Sequence, residues 1–487
     1  MHMKVFLAID LGAGSGRVMA GLFDGKKIDL QEVARWNSAP VKIGDSYHWD
    51  VNRIFSDILV GLRAARAKYG DAIESLGIDT WGVDYGLLDG SDKLLNMPYI
   101  YRDTRTEGMM DWVFSKVSKD EIYKTTGIQF MFFNTIFQLA SEIERGGNID
   151  KAKTFLMMPD LLAFMLTGVK KNERTNASTT QFYNPFKRDW AYDILNKIGV
   201  SSEIFASGFA ECGTVIGGLL PEIKNEIGDI KVVAVASHDT GSAVAAMPTQ
   251  AEGSAYVNSG TWSLAGIEAD SPIVSEESFK ENFTNEVGVG HKIRFLKNVT
   301  GMWLVQKCKE IWKSEGTDMS YADLERGALE SPAMRTIFDP DHQDFVMPEN
   351  MPEAIRSHCR QRGIPVPENH GQIFRAIQES IAAKYAYIFG KMESLSGKKI
   401  SQINIMGGGS KDAVLSQFAA DATNRTVYAG PVESTALGNI LMQLKACGGI
   451  SNLSEGRAIV ANSCMPKVYN PRPEEAAKWK EYASSRA

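Results

Sequence analysis

Long apolar stretches are missing from this chain, and none could cross a bilayer as a helix. The start, "MHMKVFLAIDLG", lacks the apolar segment and cleavage site of a secretory leader. Residues 5–9 read instead as a strand, with Met3 as the natural start. An excess of positive charge is also missing: 53 Lys and Arg stand against 59 Asp and Glu, a net charge of −6. That balance argues against a nucleic-acid partner, whose phosphates need a basic surface. It does not exclude nucleotides, since backbone N–H groups alone can hold a small phosphate. Cysteine is scarce, and Cys212, Cys308, Cys359, Cys447 and Cys464 show no C-x-x-C spacing. Such an odd, scattered set points to reduced thiols in a cytosolic, cytoplasmic protein. "NAS" at Asn176 matches a glycosylation acceptor and reads as a chance match.

What is present suits a large globular protein. Apolar residues make up 44% and charged residues 23%, and 487 residues exceed one ordinary core, so two domains are expected. In "VFLAIDLGAGSGRVMAGLFDG" the glycines follow a strand with spacing G-x-G-x-G. A dinucleotide fingerprint needs G-x-G-x-x-G and then a helix. Here "RVMAGLF" alternates like a strand and Asp24-Gly25 signals a hairpin. The glycines therefore belong to a turn between antiparallel strands, where backbone N–H groups can wrap a phosphate. Helices are expected over residues 51–69, 156–168 and 372–395, the first with Ile54, Ile58, Leu59 and Leu62 on one face. "GSAYVNSGTWSLAGIEAD" repeats the strand, turn, strand order of the opening. This weak internal repeat implies two similar α/β domains facing a cleft, with a boundary near residues 245–253.

Polar, glycine-containing turns stand at several strand ends: "DLGAGSGR", "DTWGVDY", "SHDTGS", "NSGTWS" and "MGGGSKD". In open α/β sheets, ligands bind beyond the carboxyl ends of strands. Asp10 ends the first strand, where it either caps the turn or holds Mg²⁺, usually through water. Asp239 ends the buried run "VVAVAS". It is either an N-cap of the helix "GSAVAAM" or a general base, and capping alone does not call for His238 beside it.

Together "AIDLGAGSGRVM", "LGIDTWGVDYGLLD", "YRDTRT", "GIQFMFFNT", "VAVASHDTGSAV", "NSGTWSL", "KNVTGMWLVQ" and "GPVESTALGNI" resemble the FGGY carbohydrate kinases, nearly end to end and in order. The resemblance implies two RNase H-like, actin-like ATPase domains around a central cleft. Residues 3–247 would be the sugar and phosphate-loop side, and residues 248–487 the nucleotide side. It implies ATP with Mg²⁺, and phosphorylation of the C1 hydroxyl of L-rhamnulose, with L-fuculose as the alternative. A non-catalytic actin-like scaffold or sugar sensor is the rival from another class. Carried over residue by residue, Ala13, Gly14, Ser15, Gly16 and Arg17 would contact the ATP phosphates. Thr261, Gln306 and Gly408 would contact the nucleotide. Gly82, His238, Asp239, Thr240 and Asn298 would contact the sugar, with Asp239 as the base. Gly14 departs from the serine usual in relatives, and backbone phosphate contacts should survive this. No partner beyond sugar and ATP is implied, and a monomer or a homodimer would both fit.

Overall fold

The computed structural model describes residues 3–249, 251–346 and 348–484. Gln250, within the expected boundary stretch, lies outside the described residues. The chain divides into two compact units that are not contiguous in sequence. Unit 1 runs to Ala246 and adds Glu268–Phe295 and Ser434–Ser463. Unit 2 takes Met247–Ile267, Leu296–Glu433 and the stretch from Cys464 onward.

The sheet of unit 1 contains β1 (Lys4–Leu11), β2 (Ser15–Phe23), β3 (Ile28–Asn37), β4 (Ile73–Thr80), β5 (Thr214–Gly218) and β6 (Lys231–Ala234). Their order is β5-β6-β4-β1-β2-β3. The hairpin β1–β2 is antiparallel, β1–β4 and β4–β6 are parallel, and β5–β6 is antiparallel. From Val5 onward every residue of β1 is buried, so the strand is a continuous apolar run up to Asp10, as a central strand covered on both faces must be. Helix α1 (Val51–Tyr69) spans the expected residues. Asp50 caps it by accepting from Arg53 N, and Ile54, Ile58 and Leu62 face the core. Two further helices matter for the site: α2 (Asp239–Ala245) and α3 (Ser434–Ala446). Gly438 of α3 lets the two cross closely, since a Cβ there would lie 1.8 Å from the carbonyl oxygen of Ser242.

A second sheet holds β7 (Ser254–Ser259), β8 (Trp262–Ala269), β9 (Thr284–Val287), β10 (Ile293–Thr300), β11 (Gln402–Met406), β12 (Thr426–Ala429) and β13 (Lys467–Tyr469), in the order β9-β10-β8-β7-β11-β12-β13. Its pairings repeat those of unit 1: antiparallel β7–β8, parallel β7–β11 and β11–β12, then antiparallel β12–β13. The internal repeat read from sequence is thus a repeat of strand topology.

Two sequence expectations need correction. Gly12 and Gly14 lie in the β1–β2 turn, but Gly16 lies inside β2. A Cβ on Gly16 would meet the Trp36 ring at 2.4 Å, so that glycine serves strand packing. Residues 156–168 do not form one helix: Thr154–Met157 is a strand and the helix begins at Met158, with Pro159 in its first turn. Among the described residues, no helix is long and apolar enough to cross a membrane.

Candidate active site

Strand register brings three charged residues into a row. Asp10 on β1 sits opposite Arg17 on β2 and opposite Asp79 on β4. Arg17 donates from Nε and Nη2 to Asp10 Oδ2, at 3.0 and 2.7 Å. Asp79 is fully buried, and its Oδ2 accepts from Asn439 Nδ2 of α3 at 2.6 Å. Its Oδ1 has no partner among the described residues. Burial, then the negative charge of Asp10 and that of Asp239, push the Asp79 carboxyl well above the usual carboxylate range, against the Asn439 bond.

A raised value means that the folded state holds this proton more tightly than the unfolded chain does. The stability it contributes is present below the ordinary value of 3.8 and is lost as pH rises through the folded value. Asparagine mimics the protonated form, so Asp79→Asn is expected to gain melting temperature over the parent, increasingly as pH rises above the ordinary carboxylate value, at about 1.4 kcal/mol per pH unit while the group titrates. Thermal melts across that range test this. A difference independent of pH would mean that Asp79 has ordinary acidity.

Asp239 follows β6 as the first residue of α2, not as its N-cap, which is His238. Its Oδ1 accepts from Thr240 N at 2.6 Å and from the Thr240 hydroxyl at 3.2 Å. Removal from water raises its pKa, His238 lowers it and Asp10 raises it, for a net upward shift. A carboxylate so placed takes a proton more readily than one in water. His238 Nε2 lies 3.5 Å from Asp239 Oδ1. On its other side, His238 Nδ1 lies 3.2 Å from Glu286 Oε2 and 3.1 Å from Arg294 Nη2. Arg294 is fully buried and pairs with Glu286 at 3.0 Å. Burial pushes the Glu286 carboxyl up, but Arg294 and His238 outweigh it and leave it low.

The turn after β4 is tied to the same place. Thr80 N donates to the Ser237 carbonyl at 2.8 Å. Asn176 Nδ2 donates to the carbonyls of Trp81 and Ser237, both at 3.2 Å. Asn176 is fully buried, which rules out a glycan there. Gly82 leaves no room for a side chain, since a Cβ would lie 2.9 Å from Thr179. Next to it Val83 has φ 68°, a strained conformation for a β-branched residue. Hydrogen bonds from Val83 N to Thr179, and to Val83 O from Thr135 and Gln138, hold it there. Asp84 accepts from the indoles of Trp49 and Trp81, from Gln138 and from Tyr101 N, and burial lifts its pKa to about 6.

In the first turn, Gly12 N donates to Ser15 O at 2.9 Å. Ala13 packs on the core, and a Cβ on Gly14 would meet nothing within 4 Å, so serine or glycine fits there. In unit 2 the expected nucleotide residues converge. Thr261 Oγ1 lies 3.4 Å from Gln306 Oε1, and the backbone of residues 260–261 accepts from Gly301, Met302 and Trp303 N–H. The glycine turn packs on the same strand end, because a Cβ on Gly409 would strike the Ser259 side chain, whereas Gly408 is exposed and open. Asn298 is half-buried on β10.

Asp10 and Asp239, whose charges act on one another, offer hard oxygen donors of the kind Mg²⁺ takes, whereas Asp79, with its carboxyl held well above the usual carboxylate range, is a poorer ligand. The cluster His342, Asp344 and His358 does not call for a metal. Arg362 supplies the cation, and both ring nitrogens of His342 already face N–H donors, Asp344 N and Arg362 Nη2. Glu173, Glu286, Arg294 and Asn439 were not found from the sequence: the first three reach the site from segments with no motif of their own, and Asn439 lies within "GPVESTALGNI" but was not singled out there.

Comparison with known proteins agrees over nearly the full length. Residues 5–246 match the N-terminal domain of the FGGY family of carbohydrate kinases and residues 255–447 its C-terminal domain. A rhamnulokinase of Oceanobacillus iheyensis is 41% identical, covering 94% of this chain and 96% of that protein. One of Bacteroides thetaiotaomicron is 40% identical, covering 97% of each. In fold, the chain is similar to a gluconate kinase of Lactobacillus acidophilus at TM-score 0.82 and 18% identity, covering 98% of this chain and 96% of that one. A ligand-bound xylulose kinase of the same organism gives TM-score 0.81 at 18% identity and the same coverage. The chain belongs to the FGGY family of carbohydrate kinases.

Proposed function

We propose that the chain transfers the γ-phosphoryl group of ATP to the C1 hydroxyl of L-rhamnulose, giving L-rhamnulose 1-phosphate and ADP. The observation that carries the chemistry is Asp239: a half-buried, proton-accepting carboxylate at a strand end, with His238 on one side and the Asp10–Arg17 pair sharing its field. A sugar hydroxyl is a poor nucleophile until its proton has somewhere to go, and Asp239 is the acceptor. His238, Thr240, Gly82 and Asn298 hold the sugar. The turn from Ala13 to Arg17 holds the phosphates, and Thr261, Gln306 and Gly408 hold the nucleotide, so residues 3–247 serve sugar and phosphate while residues 248–487 serve the nucleotide and, through Asn298, the sugar. Mg²⁺ would be held at Asp10 through water and would supply neutralising charge to the phosphates. The choice of sugar is supported by the relatives above, which carry that substrate in their name.

The aromatic run 130–133 bears on the deoxy sugar. Phe130 is plain core, packed with Phe114, Tyr123 and Phe279. Phe133 is half-buried and meets Tyr101 edge-on at 5.3 Å, and the charge of Asp239 acts on Tyr101. Phe133 is therefore the ring placed to cover the C6 methyl. Burying one methyl is worth about 0.8 kcal/mol, about fourfold in rate constant. ADP release with L-rhamnulose, L-fuculose and the 6-hydroxy ketose L-fructose tests both points. L-Rhamnulose is expected to give the highest kcat/KM, several-fold above L-fructose, and Phe133→Ala to erase that margin. A higher kcat/KM for L-fuculose would overturn the substrate. ADP release that does not depend on sugar would overturn the activity.

A further inference from the structure

Glu173 is a buried carboxylate, 1% exposed, whose two oxygens accept several hydrogen bonds. It accepts from the backbone N–H of Thr175 at 2.9 Å, Asn176 at 3.4 Å and Ser237 at 3.0 Å. It also accepts from the hydroxyls of Thr175 and Ser237, the latter at 2.9 Å, and from the Cys212 thiol at 2.9 Å. Ser237 directly precedes His238 and Asp239. Thr175 Oγ1 in turn accepts from His238 N at 3.2 Å. We propose that Glu173 is the positioning residue of the base-bearing loop: one carboxylate ties residues 173–176 to Ser237 and, through Thr175, to His238, and so fixes the direction in which Asp239 points. The inference rests on the reading of Asp239 as general base.

The residue type fits this task. A carboxylate presents acceptors only, so every donor that faces Glu173 is satisfied. Glutamine would set an NH₂ against N–H and O–H groups. Charge-assisted bonds are also about twice as strong as neutral ones. Asp160 orients the anchor itself, with both carboxyl oxygens 3.1 Å from Glu173 N. Burying an anion is costly for stability, so the fold keeps it here for placement.

Glu173→Gln, Thr175→Val and Ser237→Ala test the inference, with kcat, KM for each substrate, the pH profile of kcat and the melting temperature measured for each. Misplacing a reacting group by about 1 Å costs on the order of 10²-fold. Glu173→Gln is expected to lose that much in kcat, with KM for ATP within about twofold. Thr175→Val and Ser237→Ala should fall in the same direction by smaller factors and shift the acid limb of the profile, which a purely structural role would leave in place. If Glu173→Gln does not fold, these two variants decide. Wild-type kcat and pH profile in both would overturn the inference. Asp239→Asn in the same assay separates the two ideas: full activity there removes the base reading, whereas loss there with intact loop variants removes only the role of Glu173.

Discussion

A folded Asp239→Asn variant should lose about 10²–10⁴-fold in kcat, the usual cost of removing a general base. Asparagine keeps the size and one acceptor oxygen, so the bond from Thr240 N and the start of α2 survive. Melting temperature and KM for ATP should therefore hold, since the proton moves only in the transition state. The wild-type enzyme adds a second readout. Asp239 works deprotonated and its pKa is raised above the ordinary 3.8, so activity should fall with decreasing pH through a midpoint above the ordinary carboxylate value. Near-wild-type kcat in the variant would leave Asp239 a structural residue at the head of α2.

The second large effect concerns Glu286. Its partner Arg294 is fully buried and also donates to Val287 O at 3.1 Å. Glu286→Ala would strand that guanidinium without its carboxylate. Breaking a buried pair from one side costs about 3–5 kcal/mol. Chemical denaturation should show that loss, together with a higher KM for sugar, because His238 Nδ1 loses its carboxylate neighbour. The double variant Glu286→Leu/Arg294→Met removes both charges and should recover most of the stability but not the sugar KM. Unchanged stability in Glu286→Ala would show that Arg294 does not depend on this pair.

The two residues also mark where sequence reading stops. Asp10, His238 and Asp239 stood out because each lies at a strand end beside glycine or small polar residues, whereas Arg17, inside β2, came only from the family resemblance. Helix α1 was legible from its apolar period. The run at 156–168 was misread because its first residues are apolar without period, which fits strand and helix equally; Pro159, common in a first turn, was the usable signal. Glu173 sits in "KKNERTNAS", which looks like a solvated loop until the fold buries it. Glu286 and Arg294 lie on neighbouring strands in "TNEV" and "IRFL", and only strand pairing makes them one ion pair. Local pattern reports elements and their ends. Partners that are remote in the chain need the sheet.

The late position of α3 has a consequence for how the chain is made. Its Gln443 donates to the carbonyl of Leu7 and accepts from Ser75, and its Asn439 donates to Gly77 O and Asp79. While the ribosome extends the polypeptide from residue 246 to residue 434, about 10–40 s at 5–20 residues per second, these groups of β1 and β4 wait without their final partners. Nascent unit 1 is then a half-covered sheet with polar atoms open to water or to other chains. Fragments ending near residue 247 should accordingly be recovered mainly in the insoluble fraction, and resupplying α3 as a separate peptide should draw them back into solution.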